Sequence, residues 1–313
     1  MNINVSSEIG LLKGVIVHTP GHEVSLVNPE LKDELLFDDI IFEEDARQEH
    51  LDMLDVFKVA MPKDGKIFEI VDLFLEAIQH QDARSYYVEQ MIKEFPEDNL
   101  FVIEKELLSL EPDDLLRFST QGILSKSKGF NIKPSPNLLF TRDLAAVVNN
   151  TILISRAAKK ARLRESLMME TLVQFHPLFA SVKDHAIRIS GNQSIEGGDV
   201  LVVSENLVLI GMSERTSFTG LMKAADGLLT HGVKTVLAID IPKQRASMHL
   251  DTIFTFASDN ECIAFPPAII EQHDNVVALH KVDGAVQAES RGSLLQALNE
   301  FSGKEYTFLK CGG

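Results

Sequence analysis

Three segments of this 313-residue chain carry acidic or imidazole side chains at one repeating interval. Asp143 closes Phe140-Thr141-Arg142-Asp143, Glu196 opens Glu196-Gly197-Gly198-Asp199-Val200, and His249 and Asp251 stand in Met248-His249-Leu250-Asp251-Thr252. From 143 to 196 is 53 residues, and from 196 to 249 is 53 again. A fixed period of this length means that one supersecondary unit recurs, and such units bury their apolar faces only against one another, around an axis or along a line. If rotation relates them, the marked positions converge and Asp143, Glu196, His249 and Asp251 become neighbours.

The hydrophobic pattern says what the unit is. Leu144 to Val148, Asn149-Asn150 and Thr151 to Ser155 read as strand, two-residue turn and strand, with asparagine suited to the turn. A helix through Leu163, Leu167, Thr171 and Phe175 follows, then a strand around Ile187 to Ile189. The order returns with Val200 to Val203, Leu207 to Ile210, a helix through Leu221, Ala225 and Leu228 closed by Gly232, and the strand Thr235 to Ile239. A third copy runs through Thr252 to Phe256, Cys262 to Phe265, a helix over Leu294 to Phe301 and the strand Tyr306 to Leu309. Each unit is strand, strand, helix, strand, and each polar marker lies where its unit enters the first strand.

Upstream, Leu11 to His18 reads as a buried strand stopped by Thr19-Pro20-Gly21, and Leu51, Leu54 and Phe57 mark a long helix. From 64 to 127 apolar stripes at helical spacing succeed one another: Ile67, Val71, Phe74, Leu75 and Ile78; Val88, Met91, Ile92 and Phe95, ended by Pro96; Ile103, Leu107 and Leu110. This predicts a small helical subdomain over 64–127 inserted into an α/β domain made of 1–63 and 128–313.

Composition narrows the function. With 46 acidic against 30 basic residues the formal charge is −16, which repels phosphate backbones and anionic membranes and favours cationic ligands. That balance argues against a nucleic-acid role. Two cysteines make no disulfide framework, and no apolar run approaches the ~20 residues of a membrane helix, so a cytoplasmic location is expected. Asp143 and Asp251 offer acceptor oxygens suited to paired hydrogen bonds with a planar guanidinium. His249 is a proton shuttle near neutrality, with Glu196 to hold its ring. Taken singly, Arg142-Asp143 reads as a turn or surface ion pair, Gly197-Gly198-Asp199 as a turn in which Asp199 caps amides, and His249-Leu250-Asp251 as an ordinary strand pattern. The shared period is what joins them.

Asn137-Leu138-Leu139-Phe140-Thr141-Arg142-Asp143, Glu196-Gly197-Gly198-Asp199-Val200, Ser213-Glu214-Arg215-Thr216-Ser217 and Met248-His249-Leu250-Asp251-Thr252, in this order, resemble the signature segments of arginine deiminases. The resemblance implies a pentein fold, an α/β propeller of ββαβ units around a pseudo-fivefold axis, with an early helical insertion. It implies hydrolysis of L-arginine to citrulline and ammonia through a covalent cysteine intermediate, with no metal or organic cofactor. Asp143 and Asp251 would grip the guanidinium, His249 would move protons, and Glu196 would support it. Asn137, Arg162 and Arg215 would hold the amino-acid end of the substrate. A homo-oligomer is compatible with such a chain.

The family's nucleophilic cysteine lies near the C-terminus, after a Gly-rich segment. Cys311 invites that role by position, but it follows a final strand whereas the polar markers precede first strands, so it reads as an inert thiol; Cys262 reads as a core residue. The expectation is a propeller whose last unit or units, with the nucleophile, are missing from this sequence. Two alternatives stand beside the deiminase: another guanidine hydrolase or amidinotransferase, and a binding protein that keeps the cation pocket without the chemistry.

Overall fold

The computed structural model describes residues 2–124 and 131–312. The expected boundary at 127/128 lies outside these residues, as does Gly313. The chain divides into two compact units, Met1–Gly10 with Arg142–Ala158 and Ser181–Gly313, and Leu11–Thr141 with Lys159–Ala180. Each is described by itself.

The first unit holds the strands of three successive repeats. Ala145–Val148 pairs antiparallel with Thr151–Ile154, which pairs parallel with Ala186–Arg188. The turn between the first two places Asn149 at φ 52°, the left-handed conformation that asparagine tolerates better than most residues. In the second repeat Val200–Ser204 and Leu207–Met212 are antiparallel, the helix Phe218–Thr230 follows, and Thr235–Asp240 returns parallel to Leu207–Met212. In the third, Phe254–Phe256 and Glu261–Ala264 are antiparallel, the helix is Leu294–Ser302, and Thr307–Lys310 is parallel to Glu261–Ala264. The strand-strand-helix-strand order is thus present three times along the chain.

Why the middle repeat is so apolar follows from its two faces. Side chains alternate along a strand. Leu207 and Leu209 enter a core with Leu237, Ile239, Leu250, Phe254, Cys262 and Leu298. Val208 and Ile210 enter another with Ala146, Leu153, Ile187, Val236 and the helix residues Leu221 and Leu228. Both faces are covered, so the strands read as continuous Val/Ile/Leu runs instead of alternating ones. The third sheet is covered on one face: in Glu261–Ala264 only Cys262 and Ala264 are buried.

One pair of strands has no counterpart in the sequence reading. Val276–Val282 and Ala285–Arg291 form a hairpin between the third repeat's second strand and its helix, and Val276–Val282 pairs antiparallel with Thr235–Asp240 of the second repeat. The middle sheet therefore has five strands.

In the second unit Gly14–Val17 pairs parallel with Lys66–Glu69. This corrects the helical stripe expected to begin at Ile67: that residue is in the strand, and the helix Ile70–Ile78 starts only after it. An apolar run feeding straight from strand into helix carries no period that separates the two. Gln81–Glu94, Glu104–Leu108 and Pro112–Gln121 follow, the last of them unread in the sequence. Pro112 stands in the first helical turn and Gly122, at φ 75°, ends it. The helix Leu163–Phe175, second in sequence to the first hairpin, packs on Ile70–Ile78 and Gln81–Glu94 and belongs to this unit. Among the described residues no helix is long and apolar enough to cross a membrane.

Candidate active site

In the first unit each 53-residue marker sits in a 3-10 turn that leads into the opening strand of a repeat. Asp143 lies in Thr141–Leu144 ahead of Ala145–Val148, Glu196 caps Gly197–Asp199 ahead of Val200–Ser204, and His249 caps Leu250–Thr252 ahead of Phe254–Phe256. These turns bring the markers together. His249 Nε2 is 2.8 Å from Glu196 Oε2, and His249 Nδ1 is 3.6 Å from Asp143 Oδ1. The other Glu196 oxygen accepts the Ala158 N–H at 3.1 Å and lies 3.7 Å from Arg215 Nη1. Glu196 is fully buried, and His249 and Arg215 are nearly so.

Glycine makes this proximity feasible. A Cβ on Gly198 would stand 2.9 Å from His249 Cγ and Nδ1 and 3.0 Å from Asp143 Oδ1. A Cβ on Gly197 would stand 2.1 Å from the Arg142 carbonyl oxygen. The Gly-Gly pair is therefore a packing requirement of the cluster as well as a turn.

Charge and burial compete at these groups. Burial is the largest single influence on His249 and disfavours its cation, but the hydrogen bond to Glu196 and the charges of Asp143, Asp199 and Glu196 outweigh it and raise its pKa. The imidazolium is held by a carboxylate on either side. Asp251 is raised to about 6, chiefly by burial; His249 and Arg142 pull it down, while Asp143 and Glu8 push it up. Asp143 is thus one of the like charges acting on Asp251, a repulsion that a nearby cation would relieve. Asp199 is raised to about 7, again chiefly by burial, against His249, Ser213, Thr216 and Leu250.

Some residues proved more connected than their sequence context showed. Arg142 donates to the carbonyls of Gly197 and Val200 and pairs with Glu8, so it fastens one marker turn to the next while its neighbour Asp143 faces His249. Glu8 also accepts the Val202 N–H. Asp199 accepts the Leu250 N–H at 2.9 Å, the amide capping expected of it, and adds hydroxyl partners in Ser213 and Thr216. Glu8 carries no sequence signal that marks it, and Ser213 and Thr216 stand in the segment noted for Arg215 without any sign of these bonds.

In the second unit Arg162 is buried at the start of Leu163–Phe175, where it pairs with Glu165 at 3.0 Å and donates to the carbonyl oxygens of Asn137 and Phe140. Asn137 donates its side-chain amide to the Leu35 carbonyl. Of the three residues expected at the substrate's amino-acid end, Arg162 and Asn137 are thus joined here, and Arg215 stands beside Glu196 in the first unit.

The donor atoms of Asp143, Glu196 and His249 lie within 4.8 Å of one another, near enough to share one cation, and neither cysteine joins them. Cys262 is buried in its strand, its thiol pushed up to about 12 by burial. Cys311 is exposed, and its N–H is bonded to Ala264 beyond the last strand.

The chain matches the family model "Arginine deiminase" over residues 33–129 and 121–313. It is 32% identical to an arginine deiminase of Listeria monocytogenes over 99% of this chain and 81% of that protein. It is 34% identical to an arginine deiminase of Bacillus cereus over 99% and 82%. Among solved structures it is similar to a DDAH from Pseudomonas aeruginosa complexed with citrulline, at 16% identity over 82% of this chain and 70% of that one, with a TM-score of 0.48. With a matching family model across most of its length and relatives at this identity, the chain belongs to the arginine deiminase family.

Proposed function

We propose that the Asp143, Glu196, His249 and Asp251 cluster is a deiminase-type site for the guanidinium of L-arginine. The observation that carries this is His249, buried between Glu196 at 2.8 Å and Asp143 at 3.6 Å, with Asp251 in the same field. Asp251, which Asp143 pushes up as a like charge, is relieved by a flat cation to which the two carboxyl groups present paired acceptors. Arg215 supports a substrate with a carboxylate: its buried Nε has no hydrogen-bond partner among the described residues, a donor left for an anionic group. Arg162 and Asn137 are read as the further carboxylate- and amine-holding groups.

In the proposed reaction a thiolate forms a bond to the guanidinium carbon, His249 gives its proton to the departing amine, and ammonia leaves. His249 then takes a proton from water as the hydroxide adds to the same carbon; the thiolate departs while the added hydroxyl releases its proton to solvent, and citrulline remains. Neither Cys262 nor Cys311 joins the cluster, so these residues account for binding and proton movement and not for the nucleophile. The reading extends to the fold: the three repeats are blades of a propeller, and the helices of 64–127 are its insertion.

A purely binding role is the second reading, favoured by the absence of a cysteine from the cluster. Calorimetry with L-arginine and agmatine, beside a citrulline assay, tests both. The expected result is arginine binding that exceeds agmatine binding, with no citrulline released by this 313-residue chain. Citrulline production abolished by Cys311→Ala would overturn the assignment of that thiol.

A further inference from the structure

Asp199 is a fully buried carboxyl group in the turn that Glu196 caps. Its Oδ2 accepts from Ser213 Oγ at 2.6 Å and from Thr216 Oγ1 at 2.5 Å, and its Oδ1 accepts the Leu250 N–H at 2.9 Å. The Ser213 hydroxyl, having donated to Asp199, accepts the N–H groups of Arg215 at 2.9 Å and Thr216 at 3.1 Å. One carboxylate therefore reaches, through at most one hydroxyl, the backbone of Arg215 and the residue next to His249, from the same turn that Glu196 caps. Close packing adds to this: a Cβ on Gly211 would stand 2.6 Å from Asp199 Oδ1 and 3.0 Å from Leu250 Cβ.

We infer that Asp199 is a positioning residue, which holds the Arg215 loop and the His249 turn in fixed register with Glu196 and so presets the distance between the carboxylate-holding and proton-moving ends of the site. The inference rests on the reading of Arg215 and His249 as site residues, but its test needs no turnover. Buried carboxylates that accept several donors act as rigid joints, because releasing any one donor leaves another polar group unpaired.

The experiment is amide hydrogen exchange by NMR on the whole chain, with Asp199→Asn, Asp199→Ala and Ser213→Ala. In Asp199→Ala the amides of Arg215, Thr216 and Leu250 exchange at least tenfold faster, while those of Leu207–Met212 keep their protection. Ser213→Ala releases Arg215 and Thr216 but not Leu250. Asp199→Asn lowers the His249 imidazole titration midpoint because a facing negative charge is gone, leaving Asp143 and Glu196; Ser213→Ala, which keeps the carboxyl group and removes only one of its donors, lowers that midpoint less. A uniform rise in exchange across the strands, unchanged exchange at the three amides, or equal midpoints in the two variants would overturn the inference. Loss of arginine binding with these signatures intact would count against the proposed substrate and not against Asp199 as the joint.

Discussion

Gly198→Ala is a small change with a calculable consequence. The added methyl meets His249 Cγ and Nδ1 at 2.9 Å and Asp143 Oδ1 at 3.0 Å, nearly an ångström inside ordinary van der Waals contact. Gly198 does not have a positive φ, so alanine brings no backbone strain and the cost is steric. Overpacking of a buried site costs roughly 1–3 kcal/mol. Fewer conformations of the unfolded chain return about 0.4–1 kcal/mol. The net expectation is a loss of about 1–2 kcal/mol, with the His249 ring displaced from its 2.8 Å bond to Glu196. Urea denaturation measures the first and the His249 imidazole resonances report the second. Gly10→Ala is the control, since its Cβ would meet nothing nearer than 3.7 Å. If Gly198→Ala is as stable as Gly10→Ala and leaves the imidazole signals in place, the packing argument for the cluster is wrong.

Asp251, held at about 6, and Asp199, held at about 7, have folded values above the ordinary 3.8. Such a group contributes its stability fully below the unfolded value and loses it as pH rises through the folded one. Relative to wild type, Asp251→Asn should therefore gain stability between about pH 4 and pH 7, and thermal melts across that range check the sign. Raised His249 acts in the same direction from its ordinary 6.5 upward, so Glu196→Gln, which replaces its hydrogen-bonded carboxylate with a neutral amide, should lower the midpoint of the imidazole titration seen by NMR. Under native conditions a thiol reagent should modify exposed Cys311 quickly and buried Cys262 only after unfolding, so two fast equivalents would contradict the placement of Cys262. Leu209→Ala, in the strand covered on both faces, should cost roughly 2–5 kcal/mol by denaturant titration, and a change under 1 kcal/mol would deny that both faces are packed.

The repeats were legible because their strands and helices keep a strict order and their polar markers keep a strict period. Asn149 and Gly232 mark turns whose left-handed backbone the structure bears out, at φ 52° and 104°. The marker positions could be listed in sequence, but their meeting depends on packing between repeats, which no local pattern records. The hairpin Val276–Val282 and Ala285–Arg291 escaped notice for a physical reason: Ala285–Arg291 is largely exposed and polar, so it lacks the alternation that announces a strand. Ile67 misled because a strand buried in an apolar run and the first turn of a helix look alike until their partners are known. Ser213 and Thr216 lay inside a segment noted for Arg215, yet their bonds to Asp199 span 14 and 17 residues and have no sequence signature.

The central claim is that the cluster holds a guanidinium between Asp143 and Asp251. Isothermal titration calorimetry of L-arginine at pH 8, above the value of about 6 at which Asp251 is held, tests it most directly when wild type is compared with the double variant Asp143→Asn and Asp251→Asn. The account predicts a binding heat for wild type that disappears in the variant while the fold, followed by circular dichroism, persists. Equal binding by the two proteins would contradict it.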